Sequence, residues 1–470
     1  MRAKIIATIG PSSRDPDTLD RLISAGLAVA RLNMAHGDHQ AAAADIRAIR
    51  EASRRCRRPV GIMADLTGPK IRTGGLLAGS LDLTRGDELT LTTEPAPGTP
   101  KMIFVSYPEL PKDVAPGQSI LVADGMIELQ VIKVNDHEVT CRVLTGGLLL
   151  EHQGINLPQA TINTPTITGK DRKDLEFCLA EGVDIVALSF VRSARDIIEL
   201  KGLIHAAGRQ TPVIAKIEKH EALAGLDQII EAADGVMIAR GDLGVELPAE
   251  DVPILQKQIV KIAQKKGKAS IIATQMLDSM IQSPRPTRAE ASDVANAVFD
   301  GADAVMLSGE TAIGKYPVES VATMGRIVER AEGSVDYDKL LRGRSHWSAE
   351  TVSGAISYAT CHLASVLPAV AIITSTDSGR TAREVSRYRP RAPIVAVSPN
   401  EDTVRRLMLW WGVVPILSDA SDNIDDMLHN ALAETKQAGL AAPGDKVVVT
   451  AGTLVNVPGT TNLIKVETIE

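Results

Sequence analysis

Short aliphatic runs recur along the chain, and each is followed by a longer stretch in which apolar residues return at helical spacing. The runs are KIIATIG (4–10), LAVARLN (27–33), VGIMADL (60–66), DIVALSF (184–190), VIAKIE (213–218), GVMIARG (235–241), SIIATQM (270–276) and AVMLSGE (304–310). Rich in Val, Ile and Ala, with few alternating polar positions, they predict parallel strands buried on both faces. The stretches between them predict helices; Ile254, Leu255, Ile259, Ile262 and Ala263 trace one apolar stripe. Eight such units predict a (β/α)8 barrel. A doubly wound sheet also supplies eight strands, and counting alone does not separate the two.

The pattern breaks twice. From residue 67 to about 170 the helical spacing disappears, and short segments with turn signals replace it: SLDLTRGDELTLTT, SILVADGMIELQVIKVNDHEVTCRVL and GGLLLEHQGINLP. That alternation predicts a small all-β barrel inserted in a βα loop, placed to act as a lid, with Pro69 and Thr164-Pro165-Thr166 as hinges. After about residue 331 the polar AEGSVDYDKLLRGRSHWSAE reads as a connection. A new strand–helix alternation then runs from about 350 to 469, the signature of an open α/β domain. The expected division is a catalytic barrel over 1–68 and 167–335, a lid over 69–166, and a C-terminal α/β domain over 345–470.

Nearly every strand of the first set ends in a chemically capable group: Asn33 and His36, Asp65, Lys216 and Glu218, Asp242, Thr274, Ser308 and Glu310. In a barrel those ends converge on one mouth, which favours the barrel over the open sheet. The plainer reading is that strand ends are wet and collect polar residues. Side chains two apart share a face, so Lys216 and Glu218 point together, as do Arg31 and Asn33. A lysine inside an aliphatic strand is costly unless paired or used; a structural Lys–Glu ion pair is the alternative to a catalytic role. Glu218 and Asp242, at neighbouring strand ends, make a hard-oxygen site suited to Mg2+. The nine histidines are scattered and form no zinc cluster. Gly241 and Gly244 let backbone approach a ligand, and a helical turn over 241–244 would offer free amides to a carboxylate. Metal, lysine, arginine and bare amides together suit a small phosphorylated carboxylate.

Length and charge narrow the field. The 470 residues exceed one ordinary domain. With 3% aromatic residues, the cores must be aliphatic and base-stacking surfaces are not expected. A net charge of -7 argues against nucleic-acid and anionic-membrane partners. Four dispersed cysteines, Cys56, Cys141, Cys178 and Cys361, suggest reduced thiols in a cytoplasmic protein. The opening MRAKIIATIGPSS is too short in its apolar run for a signal peptide, and no run approaches a membrane span.

With these residues in view, the chain resembles the pyruvate kinase family, in its short bacterial form and over essentially its whole length. The resemblance rests on ATIGPSS (7–13), ARLNMAHG (30–37), GPKIRTG (68–74), AKIEKHE (215–221), ARGDLGVELP (239–248), ATQMLDSM (273–280), RPTRAEASDVANAV (285–298) and LSGETAIGKYP (307–317), in order. It implies phosphoryl transfer from phosphoenolpyruvate to ADP, giving pyruvate and ATP. It further implies Glu218 and Asp242 on Mg2+, and the Gly241 and Asp242 amides on the substrate carboxylate. Lys216 and Arg31 would meet the phosphoryl group, and Arg72, His36 and Asn33 the nucleotide side. Thr274 would lie near the methylene carbon, and Ser308 would help position a water that protonates the enolate. A homotetramer is implied as well.

The chain departs from the family's pattern at a second cation. Many members use K+, held by an Asn, a Ser, an Asp and a Thr; here Asn33 and Asp65 remain, but Ala35 and Leu66 replace the other two. Lys70 stands where potassium-dependent members carry a glutamate, so a built-in ammonium partnered by Asp65 is expected to replace K+. The alternative is a solvated Lys70 and a weakly held K+. Gln153 replaces a lysine that often assists nucleotide binding. Thr374, Ser375, Thr376, Ser378, Gly379, Arg380 and Thr381 resemble the family's phosphate-binding effector loop, in a form closer to members activated by AMP or sugar monophosphates. Two rival functions remain at this stage, a Mg2+-dependent lyase or aldolase and a catalytically silent metabolite sensor.

Overall fold

The computed structural model describes residues 1–35, 37–158, 160, 164–348, 351–452 and 461–470. The three opening strands, β1 (Lys4–Thr8), β2 (Leu27–Asn33) and β3 (Gly61–Leu66), coincide with the first three aliphatic runs. The chain then leaves for the insertion, which holds β4 (Ser80–Leu83), β5 (Glu88–Thr92), β6 (Met102–Phe104), β7 (Ser119–Val122), β8 (Ile127–Val134), β9 (Glu138–Thr145), β10 (Gly147–Leu150) and β11 (Ile155–Asn156). It returns for β12 (Ile185–Leu188), β13 (Val213–Ile217), β14 (Gly235–Ala239), β15 (Ala269–Ala273) and β16 (Ala304–Leu307). These eight parallel strands close in the order β1-β16-β15-β14-β13-β12-β3-β2, which decides for the barrel over the open sheet.

Strand alternation sorts the barrel's side chains. Ile6, Val29, Met63, Ala187, Ile214, Met237, Ile271 and Met306 pack in one cluster, and their neighbours Ile5, Ala30, Ala64, Leu188, Ala215, Ile238, Ile272 and Leu307 in another with the surrounding helices. Two positions beyond the first set stand Thr8, Arg31, Asp65, Ser189 and Lys216. The polar groups therefore continue the inward-facing row at the carboxyl ends of the strands. The helices start where their sequences supply caps. Thr168 and Thr287 form capping boxes with Asp171 and Glu290, three residues on.

The insertion is an all-strand domain with its own core, from Ile71 and Leu89 to Ile155 and Leu157. It is a six-stranded sheet, β11-β7-β8-β9-β5-β6, beside the ribbon β10-β4, with one helical turn at Leu110–Asp113. Its base is tied to the barrel: Arg192 donates to Thr166 Oγ1 at 3.1 Å, and at the other junction Asp171 Oδ1 anchors the Gly68 amide, where the chain leaves the barrel, at 3.1 Å.

The connection after the barrel is more ordered than its polarity suggests. Tyr337–Gly343 is a helix that buries Tyr337 and Leu341, and Tyr337 leans on Trp411 with ring centres 5.7 Å apart. Two apolar residues one turn apart suffice once a partner surface exists. The C-terminal sheet holds β17 (Ala371–Ser375), β18 (Ile394–Ser398), β19 (Val413–Leu417), β20 (Lys446–Gly452) and β21 (Thr461–Thr468) in the order β19-β18-β17-β20-β21, with β21 antiparallel to β20. This domain docks under the barrel, at the amino ends of the strands. There Asp184 accepts from Arg405 and Arg50, each at 2.8 Å, Arg389 meets Asp303 at 2.9 Å, and Lys4 Nζ donates to the Val413 carbonyl at 2.6 Å.

Candidate active site

The mouth is organised around Asp65. Its Oδ2 accepts from Arg31 Nε at 2.7 Å, and its Oδ1 lies 3.3 Å from Lys216 Nζ. Lys216 also pairs with Glu218 Oε1 at 2.9 Å and donates to Ser189 Oγ at 2.7 Å. Arg31 reaches Thr8 Oγ1 at 2.8 Å, and the Phe190 amide holds Glu218 Oε2 at 2.8 Å. The groups arise from consecutive staves: Arg31 from β2, Asp65 from β3, Ser189 after β12, Lys216 from β13 and Glu218 just after it.

The electrostatics follow from burial. Burial works against the Lys216 charge, but Asp65 and then Glu218 outweigh it and raise its pKa to about 12. Burial likewise opposes the Asp65 charge, and Lys216 and Arg31 hold its carboxyl below the ordinary range. Glu218 moves the other way. Burial raises its pKa, Lys216 opposes, and the Asp242 charge raises it further. The two carboxylates thus repel, which a divalent cation between them would relieve.

A cavity of about 140 Å3 opens over these groups, lined by Arg31, Asn33, Ala35, Asp65, Lys70, Arg72, Ser189, Lys216, Glu218 and Asp242 among others. The structure therefore brings together the predicted residues of β2, β3, β13 and β14 and two from the insertion. Thr274 and Ser308 stand outside that lining, at the ends of β15 and β16. Thr274 joins the site by another route, because its Oγ1 accepts from the Gly241 amide at 2.7 Å. Its φ of 68° is unusual for a β-branched residue and is fixed by that bond and by a 2.6 Å bond to the Ala273 carbonyl. His36 lies outside the described residues.

Two expectations need correction. Asp65 is committed to Arg31 and Lys216 and makes no ion pair with Lys70; Lys70 extends instead toward Gly154 in the lid. The turn after β14 is helical over Arg240–Glu246, as the glycines suggest, but the Gly241 amide is engaged by Thr274 rather than free.

Sequence reasoning missed Ser189, Thr8 and Glu246. Ser189 is the penultimate residue of the run DIVALSF, and its position two beyond Ala187 on the inward row was a legible signal. Phe190, at φ 55°, turns the chain there, which composition does not announce. Glu246 carries no distinguishing signal in its own segment, ARGDLGVELP.

A closed barrel with a buried Arg–Asp–Lys–Glu chain at its mouth, an acidic turn beside it and an inserted all-strand domain defines a class: a (β/α)8 barrel enzyme with a charged mouth. Residues 1–321 match the family description "Pyruvate kinase, barrel domain", and residues 354–467 match "Pyruvate kinase, alpha/beta domain". The chain is 49% identical to "Pyruvate kinase 2" of Synechocystis sp., over 100% of this chain and 79% of that protein. It is 43% identical to the pyruvate kinase of Clostridium acetobutylicum, over 100% of both. A crystal structure of a pyruvate kinase from Cryptosporidium parvum superposes with a TM-score of 0.93 at 38% identity, covering 100% of this chain and 96% of that one. The chain belongs to the pyruvate kinase family.

Proposed function

We propose that the barrel mouth carries the family's reaction as follows. Phosphoenolpyruvate gives its phosphoryl group to ADP, yielding ATP and the enolate of pyruvate, which is then protonated. The observation that carries the assignment of roles is Lys216, a buried ammonium between Asp65 and Glu218 with Arg31 one carboxylate away, facing the cavity.

Glu218 and Asp242 would hold Mg2+, which when bound supplies Lewis-acid polarisation of substrate oxygens. Two carboxylates suit an ion that keeps waters and takes substrate oxygens; among the described residues no cluster of three or more His, Cys, Asp or Glu ligands exists. Lys216 and Arg31 neutralise the phosphoryl oxygens, the main demand of a transfer that needs charge stabilisation more than covalent help. The Gly241 amide exchanges the Thr274 hydroxyl for the substrate carboxylate, and the Asp242 amide joins it. That exchange leaves Thr274 beside the methylene carbon, and Ser308 positions the water that delivers the final proton. Arg72 and Asn33, which line the cavity, would face the nucleotide.

The second cation is proposed to be dispensable. Asn33 Oδ1 already accepts from the Ala35 amide at 3.1 Å, Asp65 is doubly paired, and Lys70 brings an ammonium to the same cavity. Pyruvate formation in tetramethylammonium buffer with Mg2+, before and after KCl, tests both statements. Full activity without KCl supports them. Activity only with KCl sinks the role of Lys70, and no pyruvate or ATP in either buffer turns the reading toward a lyase or a silent sensor.

Around this core, we infer a homotetramer, a cytoplasmic location, and activation by AMP or a sugar monophosphate at the loop Thr374–Thr381. Among the described residues no helix is long and apolar enough to cross a membrane. The loop turns at Gly379, φ 77°, into the helix Arg380–Ser386. A flat activity curve against those effectors would remove the loop's assignment, and light scattering tests the assembly.

A further inference from the structure

The ladder between β13 and β14 ends at Ile217 and Ile238, before either metal-site carboxylate is reached. Beyond it, backbone pairing no longer sets the spacing of Glu218 and Asp242. Glu246 does bridge the two segments. It closes the helix Arg240–Glu246, whose first turn carries Asp242, and its side chain is fully buried. Lys219 Nζ lies 2.6 Å from its Oε1 and His220 Nδ1 lies 3.0 Å from its Oε2. Lys219 and His220 directly follow Glu218. A third bond comes from the lid: Asn156 Nδ2, at the end of β11, donates to Oε1 at 3.3 Å.

The lid touches the same helix again. A side chain at Gly125, in the turn between β7 and β8, would stand 3.7 Å from Val245 Cγ1. Beside the node is a small cavity of about 20 Å3 lined by Lys70, Asn156, Phe190, Lys219 and Asp242 among others. A buried carboxylate with a lysine partner is weak evidence for stability, because desolvation offsets much of the attraction. Its value lies in fixing geometry.

We propose that Glu246 is a positioning residue for the Glu218–Asp242 pair, and that its bond to Asn156 makes the lid's position felt at that pair. The inference rests on the assignment of those two carboxylates to the divalent cation. Partners of this outer kind typically contribute about 10–100-fold to metal affinity.

The test is Mn2+ titration of the full chain without substrate, read from the electron paramagnetic resonance of free Mn2+. Binding by the wild type that is lost in Glu218→Gln upholds the site; its absence, or indifference to Glu218→Gln, overturns the site assignment itself. Once that holds, Glu246→Gln is expected to weaken Mn2+ about 10-fold or more. If the single variant does not fold, Lys219→Met with Glu246→Gln leaves no unpaired buried charge and carries the same test. Wild-type Mn2+ affinity in a folded Glu246 variant overturns the proposal. Asn156→Ala should raise KM for ADP more than it lowers kcat and speed amide exchange at Ile155–Asn156. No change in either removes the lid from the proposal.

Discussion

Lys216 Nζ stands 3.3 Å from Asp65 Oδ1 above the end of β12, and the same carboxylate holds Arg31 on its other side. One buried anion therefore holds two cations close together and aimed at the cavity. Without it they would repel in a low-dielectric site.

Replacement of Asp65 by Asn should therefore unfold the protein more easily. The loss is expected to be about 3–5 kcal/mol, the usual result of removing one partner from a buried charge cluster. Inorganic phosphate should return part of it by taking the carboxylate's place. Thermal melts of Asp65→Asn with and without phosphate check this; a melting temperature equal to wild type would contradict the shared-anion account.

Lys216→Met should lower kcat about 10^2–10^3-fold, as expected for one preorganised charge contact. Phosphoenolpyruvate binding should survive through Arg31 and the amides after β14. Calorimetric binding beside single-turnover rates separates the two, and unchanged turnover would remove Lys216 from the chemistry.

Lys4 sits under the barrel, where burial lowers its pKa to about 8 despite Glu332 nearby. Its folded pKa lies below the unfolded value, so the unfolded chain binds more protons between about pH 8 and 10.4. Stability owed to this group must then rise with pH across that window. Relative to Lys4→Met, wild type should gain up to about 3 kcal/mol from pH 7.5 to 10.5 in denaturant titrations. A pH-independent difference would mean that Lys4 stays charged or hydrated.

Arg405→Ala should loosen the C-terminal domain from the barrel floor. Asp184 keeps Arg50 and the Ile62 amide, so the expected cost is about 2 kcal/mol, near that of one hydrogen bond to a charged group. Urea melts measure it, and faster amide exchange in the helix Glu401–Leu407 would locate it.

The sequence by itself determined the eight barrel strands, the place of the insertion, and the α/β alternation after it. Those features are local: an aliphatic run too apolar for an exposed strand must be buried on both faces, and turn residues punctuate it. It also determined that Arg31, Asp65, Lys216 and Asp242 share one mouth, because strand ends converge once a barrel closes. Only the tertiary structure decided the pairings. Asp65 could have met Lys70, as its sequence neighbourhood suggested, but barrel closure sets it beside Arg31 on the next stave and Lys216 on the next but one. The Gly241 amide could have been free, but a strained Thr274 from the next strand covers it. Glu246 had no distinguishing sign in its own segment, since its three partners come from β11, from the residues after β13, and from nowhere in its own helix. Periodicity says which side of a strand a residue faces, whereas the choice among charges on that side depends on distances that only closure of the barrel and docking of the lid fix.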